Sequence, residues 1–519
     1  MPRFKPYSYE QLLMIPVDLK TQLQPGTFEF ALNEIVDEMD LSVFDGRFCN
    51  DETGAPAYDP AILLKIVLFA YSRGITSSRE IERACRENVV FMALSADSHP
   101  HFTTIAEFVS SMEREIVPLF RNVLVICAAE GLIGRQMFAI DGCKITSNCA
   151  KEWSGTKEDF EKKKGKLEKS IQLLLRKHRE ADEDNEAPPG MREKEEEAIG
   201  RLRAKVKKIE GFLEKGEDKK GSSGNVKQSN LIDNESAKMP GAHGVVQGYN
   251  GVAAVDSKHQ VVVHAEAFGE GQEKQLLRPM LEGMRENLEE IGEEKDVLET
   301  AVVVADNGFH SEENVKMVLE EGIDAYVPDN RFRKRDPSFE TAARHRKPVD
   351  RKKTPYRRGA RWFQVSDFTY DEVKQKLICP AGKELYVKNR NFRERKGYCG
   401  ISYMAKKTDC RVCGLRAKCL RKPHTVARQV TIFQGRTDGE KSYTQRMIER
   451  FDTAKGRFLY SRRLGIVEPV FANICHIRGL DRFTLRGKVK VDIQWKLFNM
   501  VHNIVKIMRY SSRYASEMG

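Results

Sequence analysis

Met137-Phe-Ala-Ile-Asp-Gly-Cys-Lys144 decides how this chain folds, because four apolar residues run straight into an aspartate. A short apolar run closed by turn-forming residues reads as a buried strand. The same grammar recurs at Ala301-Val-Val-Val-Ala-Asp-Asn-Gly-Phe-His310. Two strands therefore deliver Asp141 and Asp306 to their ends. A third acid, Glu468, stands in Leu464-Gly-Ile-Val-Glu-Pro-Val-Phe471, within a segment that reads as helix. Each acid alone is an ordinary turn or surface residue. Their order, and the elements they stand on, point to a shared site.

Working outward, residues 244–255 and 260–268 predict two strands joined by a turn at Asp256-Ser-Lys-His259. A helix over 273–291, the 301–305 strand, a helix over 311–320 and a strand over 324–327 come next. That succession is the order of an RNase H-like mixed sheet in an α/β protein. Between about 156 and 215 the chain is highly charged. There Leu167, Ile171 and Leu174, then Ile199, Leu202, Val206, Ile209 and Leu213, recur at three- and four-residue spacing around Pro188-Pro-Gly190. Two amphipathic helices on either side of a Pro-Gly turn predict an inserted antiparallel hairpin. Residues 1–130 read as short helices, one opened by Pro60, with capping-box patterns at Ser77 with Glu80 and at Thr104 with Glu107. They suit a helix-turn-helix DNA reader with Arg79, Arg83 and Arg86 on phosphates, and equally a plain packing or dimerisation module. The expected domains are a helical domain over 1–130 and a catalytic core over 131–155, 221–330 and 441–510. The hairpin takes 156–220, and a basic, cysteine-rich insertion containing β-structure takes 331–440.

The 519 residues carry 87 Lys and Arg against 76 Asp and Glu, a net charge of +11. Between Arg331 and Arg361 stand thirteen basic and three acidic residues, a local +10, so one stretch holds nearly the whole excess. A polyanion is the natural partner, since each neutralised phosphate releases counterions. A solvated loop is the plain alternative. No apolar run reaches the roughly 18–20 residues of a spanning helix. The first residues lack a signal-peptide core, so a cytoplasmic protein with no membrane partner is expected. Eleven cysteines, an odd number, argue against a disulfide framework. Cys379, Cys410, Cys413 and Cys419 have knuckle-like spacing for a structural Zn²⁺, with Cys399 as a competing ligand and reduced, packed thiols as the alternative. Trp362 lies beside the basic run, where an aromatic ring can stack on an exposed base or simply pack.

Two aspartates at strand ends and a helix-borne glutamate are the donor set for two Mg²⁺ (or Mn²⁺) ions in phosphoryl transfer. Lys144 follows Asp141 by three residues and is placed either for a phosphate or for solvent. His310 is placed either to orient a carboxylate or to cap a turn.

Several stretches carry a family resemblance: Tyr58-Asp-Pro60 with its apolar helix, Arg73-Gly-Ile-Thr-Ser-Ser-Arg-Glu-Ile-Glu-Arg-Ala-Cys-Arg86, Asp141-Gly-Cys-Lys-Ile145, Gln247-Gly-Tyr-Asn-Gly-Val-Ala-Ala-Val-Asp256, Ala305-Asp-Asn-Gly-Phe309 and Ile466-Val-Glu-Pro-Val-Phe471 leading into Arg478-Gly-Leu-Asp-Arg-Phe-Thr-Leu-Arg-Gly487. Over nearly its whole length the chain resembles a DDE transposase of bacterial insertion sequences, in the group with an N-terminal helical domain and a cysteine-bearing insertion. The resemblance implies Mg²⁺ on Asp141, Asp306 and Glu468, cleavage at element ends, and joining of the freed 3′-hydroxyl to target DNA. It implies double-stranded DNA as partner, a homodimer in a synaptic complex, and a cytoplasmic, nucleoid-associated setting. Such relatives carry Tyr, Arg and Lys around the glutamate as phosphate contacts. Here Tyr460 and Arg463 are available, Cys475 stands where Lys is common, and Arg478 is placed to supply that charge. A nuclease or resolvase on the same fold and a catalytically inactive DNA-binding regulator stay open beside the transposase.

Overall fold

The structure, a computed structural model, describes residues 18–47, 56–183, 191–215, 219, 224, 226–241, 244–292, 295–341, 362–372, 374–393, 398–420, 422, 424–436 and 441–515. The chain groups into two compact units. The first comprises 1–309, 320–326 and 458–519, and the second 310–319 and 327–457.

Six strands form the sheet of the first unit: β1 (Met137–Thr146), β2 (Ala237–Gly241), β3 (Gly244–Asp256), β4 (Val262–Phe268), β5 (Val302–Ala305) and β6 (Asp324–Tyr326). Their order is β2-β3-β1-β5-β6, with β4 also on β3. β1 and β3 are antiparallel, with Asp141 opposite Ala253, whereas β1 and β5 are parallel, with Ile140 opposite Ala305. β6 runs parallel to β5. In β3, Tyr249, Val252, Ala253, Ala254 and Val255 are all fully buried. A strand covered on both faces needs such a continuous apolar run.

What covers β4 is the helix Lys488–Tyr510, buried almost throughout from Val491 to Ile507. Asn503 of this helix accepts from Val262 N and donates to Val262 O, both at 2.8 Å, and Asp492 accepts from Ala267 N at 2.8 Å. Side chains here satisfy a strand edge that would otherwise need another strand. Trp495 of the same helix donates from Nε1 to Val252 O at 3.0 Å. Another flank of the helix meets the N-terminal helices, where Phe498 stacks on Tyr71 with centroids 4.7 Å apart.

Those N-terminal helices are Phe28–Glu38, Pro60–Ser72, Ser78–Glu87, Val89–Leu94, Phe102–Ser110 and Ile116–Ala129. Asp59 caps the second of them, accepting from Ala61 N at 2.8 Å ahead of Pro60 at the first helical position. The Thr104 capping box does not form. His101 caps instead, its ring accepting from Thr103 N at 3.4 Å, so the helix begins two residues before Thr104. Ser77 is an N-cap by position and makes no side-chain capping bond.

The charged stretch holds two long helices, Lys157–Glu183 and Met191–Lys215. Phe160 and Phe212 meet edge to face at 5.1 Å, and Lys164 pairs with Glu210 at 2.7 Å. The expected Pro188-Pro-Gly190 turn lies outside the described residues. The second unit carries an antiparallel five-stranded sheet in sequence order: β7 (Thr369–Asp371), β8 (Lys376–Ile378), β9 (Glu384–Arg393), β10 (Tyr398–Ala405) and β11 (Gln429–Arg436). Phe368, Leu377, Leu385, Tyr403 and Val430 form its core. Most of the basic run, 342–361, lies outside the described residues. Among the described residues no helix is long and apolar enough to cross a membrane.

Two buried histidines tie the stability of the first unit to pH. Burial pushes His264 down to about 3, and burial followed by the nearby Lys506 charge does the same to His502. Both folded values lie below the unfolded value near 6.5, so between pH 6.5 and 3 the unfolded chain binds more protons. Stability is therefore lost as pH falls through that window, by up to about 1.4 kcal/mol per pH unit for each histidine. Denaturant titrations at pH 7, 6 and 5 should show this slope. His264→Gln with His502→Gln should flatten it.

Candidate active site

β1 and β5 bring two acids side by side. Their parallel pairing ends at Ile140 and Ala305, so Asp141 and Asp306 are the next residues on neighbouring strands. Strand spacing alone sets them about 5 Å apart at the backbone. Asp141 does not end its strand as the sequence suggested, because β1 continues through it to Thr146 on its β3 pairing; its Oδ1 accepts from Gly142 N at 2.8 Å. The Asp306 carbonyl accepts from Phe309 N at 3.1 Å, closing the turn Asn307–Phe309.

The helix Ala454–Phe471 supplies the positive charge between them. Arg463 Nη1 donates to Asp141 Oδ2, and its Nη2 lies 3.1 Å from Asp306 Oδ1. Tyr460, one turn earlier, donates its hydroxyl to the same Asp306 oxygen at 3.1 Å. Arg463 is only 6% exposed. Burial works against its charge, but Asp141, Tyr460 and Asp306 outweigh that and raise its pKa. Asp141 goes up as well, because burial and the Asp306 charge together exceed the pull of Arg463. Arg463 Nε is buried without a hydrogen-bond partner among the described residues, which leaves one donor unused.

Glu468 is not in this cluster. It is exposed and lies five residues beyond Arg463, about 140° further round a regular helix. Among the described residues no group of three or more acidic, histidine or cysteine side chains gathers closely enough to hold an ion. The helix is irregular beside Glu468. Pro469 interrupts it, and the Gly465 carbonyl that a helical N–H at 469 would have served accepts from Gln260 Nε2 at 2.9 Å. From Ala472 to Ile477 the helix widens into a π turn carrying Cys475. Cys475 Sγ stands 3.9 Å from Cys143 Sγ, two residues past Asp141.

Two known family models match parts of the chain. Residues 378–508 match the family described as Transposase DDE domain, and residues 17–111 match that described as Transposase domain (DUF772). These matches indicate a DDE-type transposase of insertion-sequence type. No curated protein matches the sequence significantly. Tyr460, Arg463 and Glu468 of the transposase fall within the first matched stretch, whereas Asp141 and Asp306 lie outside both.

The remaining sequence-chosen residues are scattered. Arg478 is 7% exposed, donates to Asn473 Oδ1 and Ser72 O at 3.0 Å each, and lies over the Phe28 ring. Burial brings its pKa down to about 10. This arginine fastens the end of the Pro60–Ser72 helix and offers little to a ligand. Arg79 and Arg83 are exposed on a helix that buries only Ile81 and Cys85, and Arg79 stacks 4.1 Å over Phe102. Lys144 is exposed and donates to Pro240 O at 3.1 Å. In the second unit Trp362 is half-buried, and His310 Nδ1 lies 2.9 Å from Val327 O. Cys379, Cys410, Cys413 and Cys419 line one small cavity there, all with free thiols. Cys399 sits in β10 opposite Arg393.

Two residues near the aspartates were missed by the sequence reading. Asn250 of β3 is fully buried, and Glu273 accepts from its Nδ2 at 3.3 Å. Asn250 had a signal, being a polar residue inside an apolar run. Glu273 opens the turn Glu273–Gln275 with nothing in the sequence to set it apart from neighbouring surface acids.

If Arg463 neutralises the aspartate pair, Arg463→Met should cost about 1–3 kcal/mol in metal-free buffer, less than a fully buried pair because the acids are partly solvated. Adding Asp141→Asn should return part of that loss. Urea unfolding followed by tryptophan fluorescence measures both. A loss within the roughly 0.5 kcal/mol of a surface change would count against the shared guanidinium.

Proposed function

We propose that this transposase binds the ends of its own element, cuts phosphodiesters there and joins the freed 3′-hydroxyls to target DNA. Asp141, Asp306 and Glu468 would hold Mg²⁺ or Mn²⁺ for this chemistry. The observation that carries the reading is the pair of aspartates on adjacent parallel strands sharing one cationic group. The donors fit a hard divalent ion, being carboxylate oxygens already balanced by positive charge. Bound metal would lower the pKa of the attacking hydroxyl and relieve charge on the transferred phosphoryl group. The order β4-β3-β1-β5-β6, antiparallel on one side of β1 and parallel on the other, supports an RNase H-like core.

In this reading Tyr460 orients Asp306, and Arg463 keeps the acids from repelling until substrate arrives. Its unused Nε then suits a backbone phosphate of the DNA, an arginine–phosphate contact in a dry site. Glu468 stands on the same helix, so any rearrangement that lifts Arg463 off the pair acts on Glu468 too. Exposed Arg79 and Arg83 on the N-terminal helices, with Lys144, Trp362 and the 331–361 run, would grip the duplex. Two ends must be held at once, which calls for a homodimer.

Labelled element-end DNA with Mg²⁺ tests the proposal. Cut and joined products are expected from the wild type. Asp141→Asn and Asp306→Asn should each lower cutting at least about a thousandfold, roughly 4 kcal/mol. Cutting without joining would indicate a nuclease, and binding alone a regulator.

We also propose a structural Zn²⁺ on Cys379, Cys410, Cys413 and Cys419, whose thiols line one cavity and would draw together on binding it. Supporting it are their shared cavity and the Lys383 amide donating to Cys379 Sγ at 3.4 Å, the kind of bond that steadies a thiolate. Purified protein should carry about one zinc per chain, as a single four-thiolate site implies. Cys410→Ser should lose it, and a metal-free wild type would refute the site.

A further inference from the structure

Glu273 and Asn250 connect the Asp141 stretch of β1 to the turn after Asp306, and the proposed function so far gives them no role. Glu273 stands just after β4, in the turn Glu273–Gln275. Its Oε1 accepts from Asn250 Nδ2 at 3.3 Å. Its Oε2 lies over Gly308, two residues past Asp306. A Cβ built on Gly308 would stand 1.8 Å from that oxygen, so only glycine leaves the carboxylate its place. Asn250 packs against the residue after Asp141 in the same manner, since a Cβ on Gly142 would stand 2.6 Å from Asn250 Oδ1. One hydrogen-bonded pair therefore spans from Gly142 of β1 to the turn after Asp306.

We propose that Glu273 is a further carboxylate ligand of the divalent-cation site, acting with Asp141 and Asp306. This rests on the reading that those two aspartates hold the cation. Asp141 and Asp306 both act on Glu273 as like charges, so the three acids face one region. Asn250 gives an independent sign of a ligand: it is fully buried, and its Oδ1 has no hydrogen-bond partner among the described residues. An orphaned buried acceptor is costly, and a cation or its hydration water would satisfy it. Arg463 now stands between the aspartates, and a guanidinium is broader than a bare ion. That accounts for three acids facing one region without closing on a point.

Mn²⁺ binding to the full-length chain without DNA, read from the free Mn²⁺ resonance signal, tests this apart from activity. Glu273→Gln keeps an acceptor for Asn250 and removes only the charge. It should weaken Mn²⁺ binding by about tenfold or more, with partial recovery in Glu273→Asp. Asp141→Asn and Asp306→Asn separate the two claims. If neither weakens binding, the aspartate reading itself fails. If both do and Glu273→Gln binds like wild type, only the Glu273 inference is overturned. Fe²⁺ with ascorbate on the unmodified chain gives a check that needs no variant. Backbone cuts near 141, 306 and 273 are expected, and absence of the cut near 273 would overturn the assignment.

Discussion

Two carboxylates on neighbouring strands repel each other, and everything near Asp141 and Asp306 is arranged around that repulsion. At about 5 Å and an effective dielectric near 20, two unit charges oppose each other by roughly 3 kcal/mol. A fold of ordinary stability, about 5–15 kcal/mol, cannot carry many such terms uncompensated. Arg463 compensates this one by giving one nitrogen to each acid, and Tyr460 adds a hydroxyl to Asp306. The site is thus stable as a neutralised cluster rather than as bare acids, and it keeps an affinity for positive charge that a metal can use.

Holding two acids at such a spacing takes a rigid frame, and the frame depends on the Lys488–Tyr510 helix. Its Asn503, Asp492 and Trp495 bind β4 and β3 by side-chain hydrogen bonds, while Phe498 packs on the N-terminal helices. β3 in turn pairs with β1 over nine residues, from Phe138 opposite Asp256 to Thr146 opposite Gly248. The position of Asp141 is therefore set from both sides of its strand, by β3 and by β5. The Arg463 helix is less regular. Pro469 removes a backbone donor, Gln260 repairs the carbonyl left over, and the π turn at Ala472–Ile477 shifts the helical phase at its C-terminal end. Such π turns are common at functional sites.

The strands were legible in the sequence because a buried sheet demands apolar runs; Asp306 does follow the end of its strand, whereas Asp141 stands inside β1, whose pairing with β3 continues to Thr146. Helix phase was harder to read. Tyr460, Arg463 and Glu468 are all recognisable, but which of them faces the sheet depends on rotation about the helix axis, and Val467 and Val470 set that rotation by burying themselves. Arg463 turns inward with them and Glu468 does not. Thr104 is a parallel case, where a capping pattern lost to His101 three residues earlier. Arg478 looked like a spare charge near the glutamate, yet besides Asn473 its partners, Ser72 and Phe28, are over four hundred residues away in sequence. Glu273 gave no signal, since its meaning comes only from Gly308 and Asn250, brought to it by the fold.

Under the proposed function, the arginine that stabilises the resting cluster also sets the order of events at the site. A divalent ion and a guanidinium cannot both occupy the space between Asp141 and Asp306, so metal binding must displace Arg463. Displacing a buried arginine into nothing is costly, because its charge would then be left unpaired. A DNA phosphate removes that cost by accepting the same nitrogens in a charge-assisted bond. Substrate and metal then favour each other's binding through Arg463 alone, by the reciprocity that any such linkage obeys. An enzyme that would damage its host's DNA if active without its proper ends gains from that coupling, because DNA tightens the cation's hold and the cation tightens the DNA's.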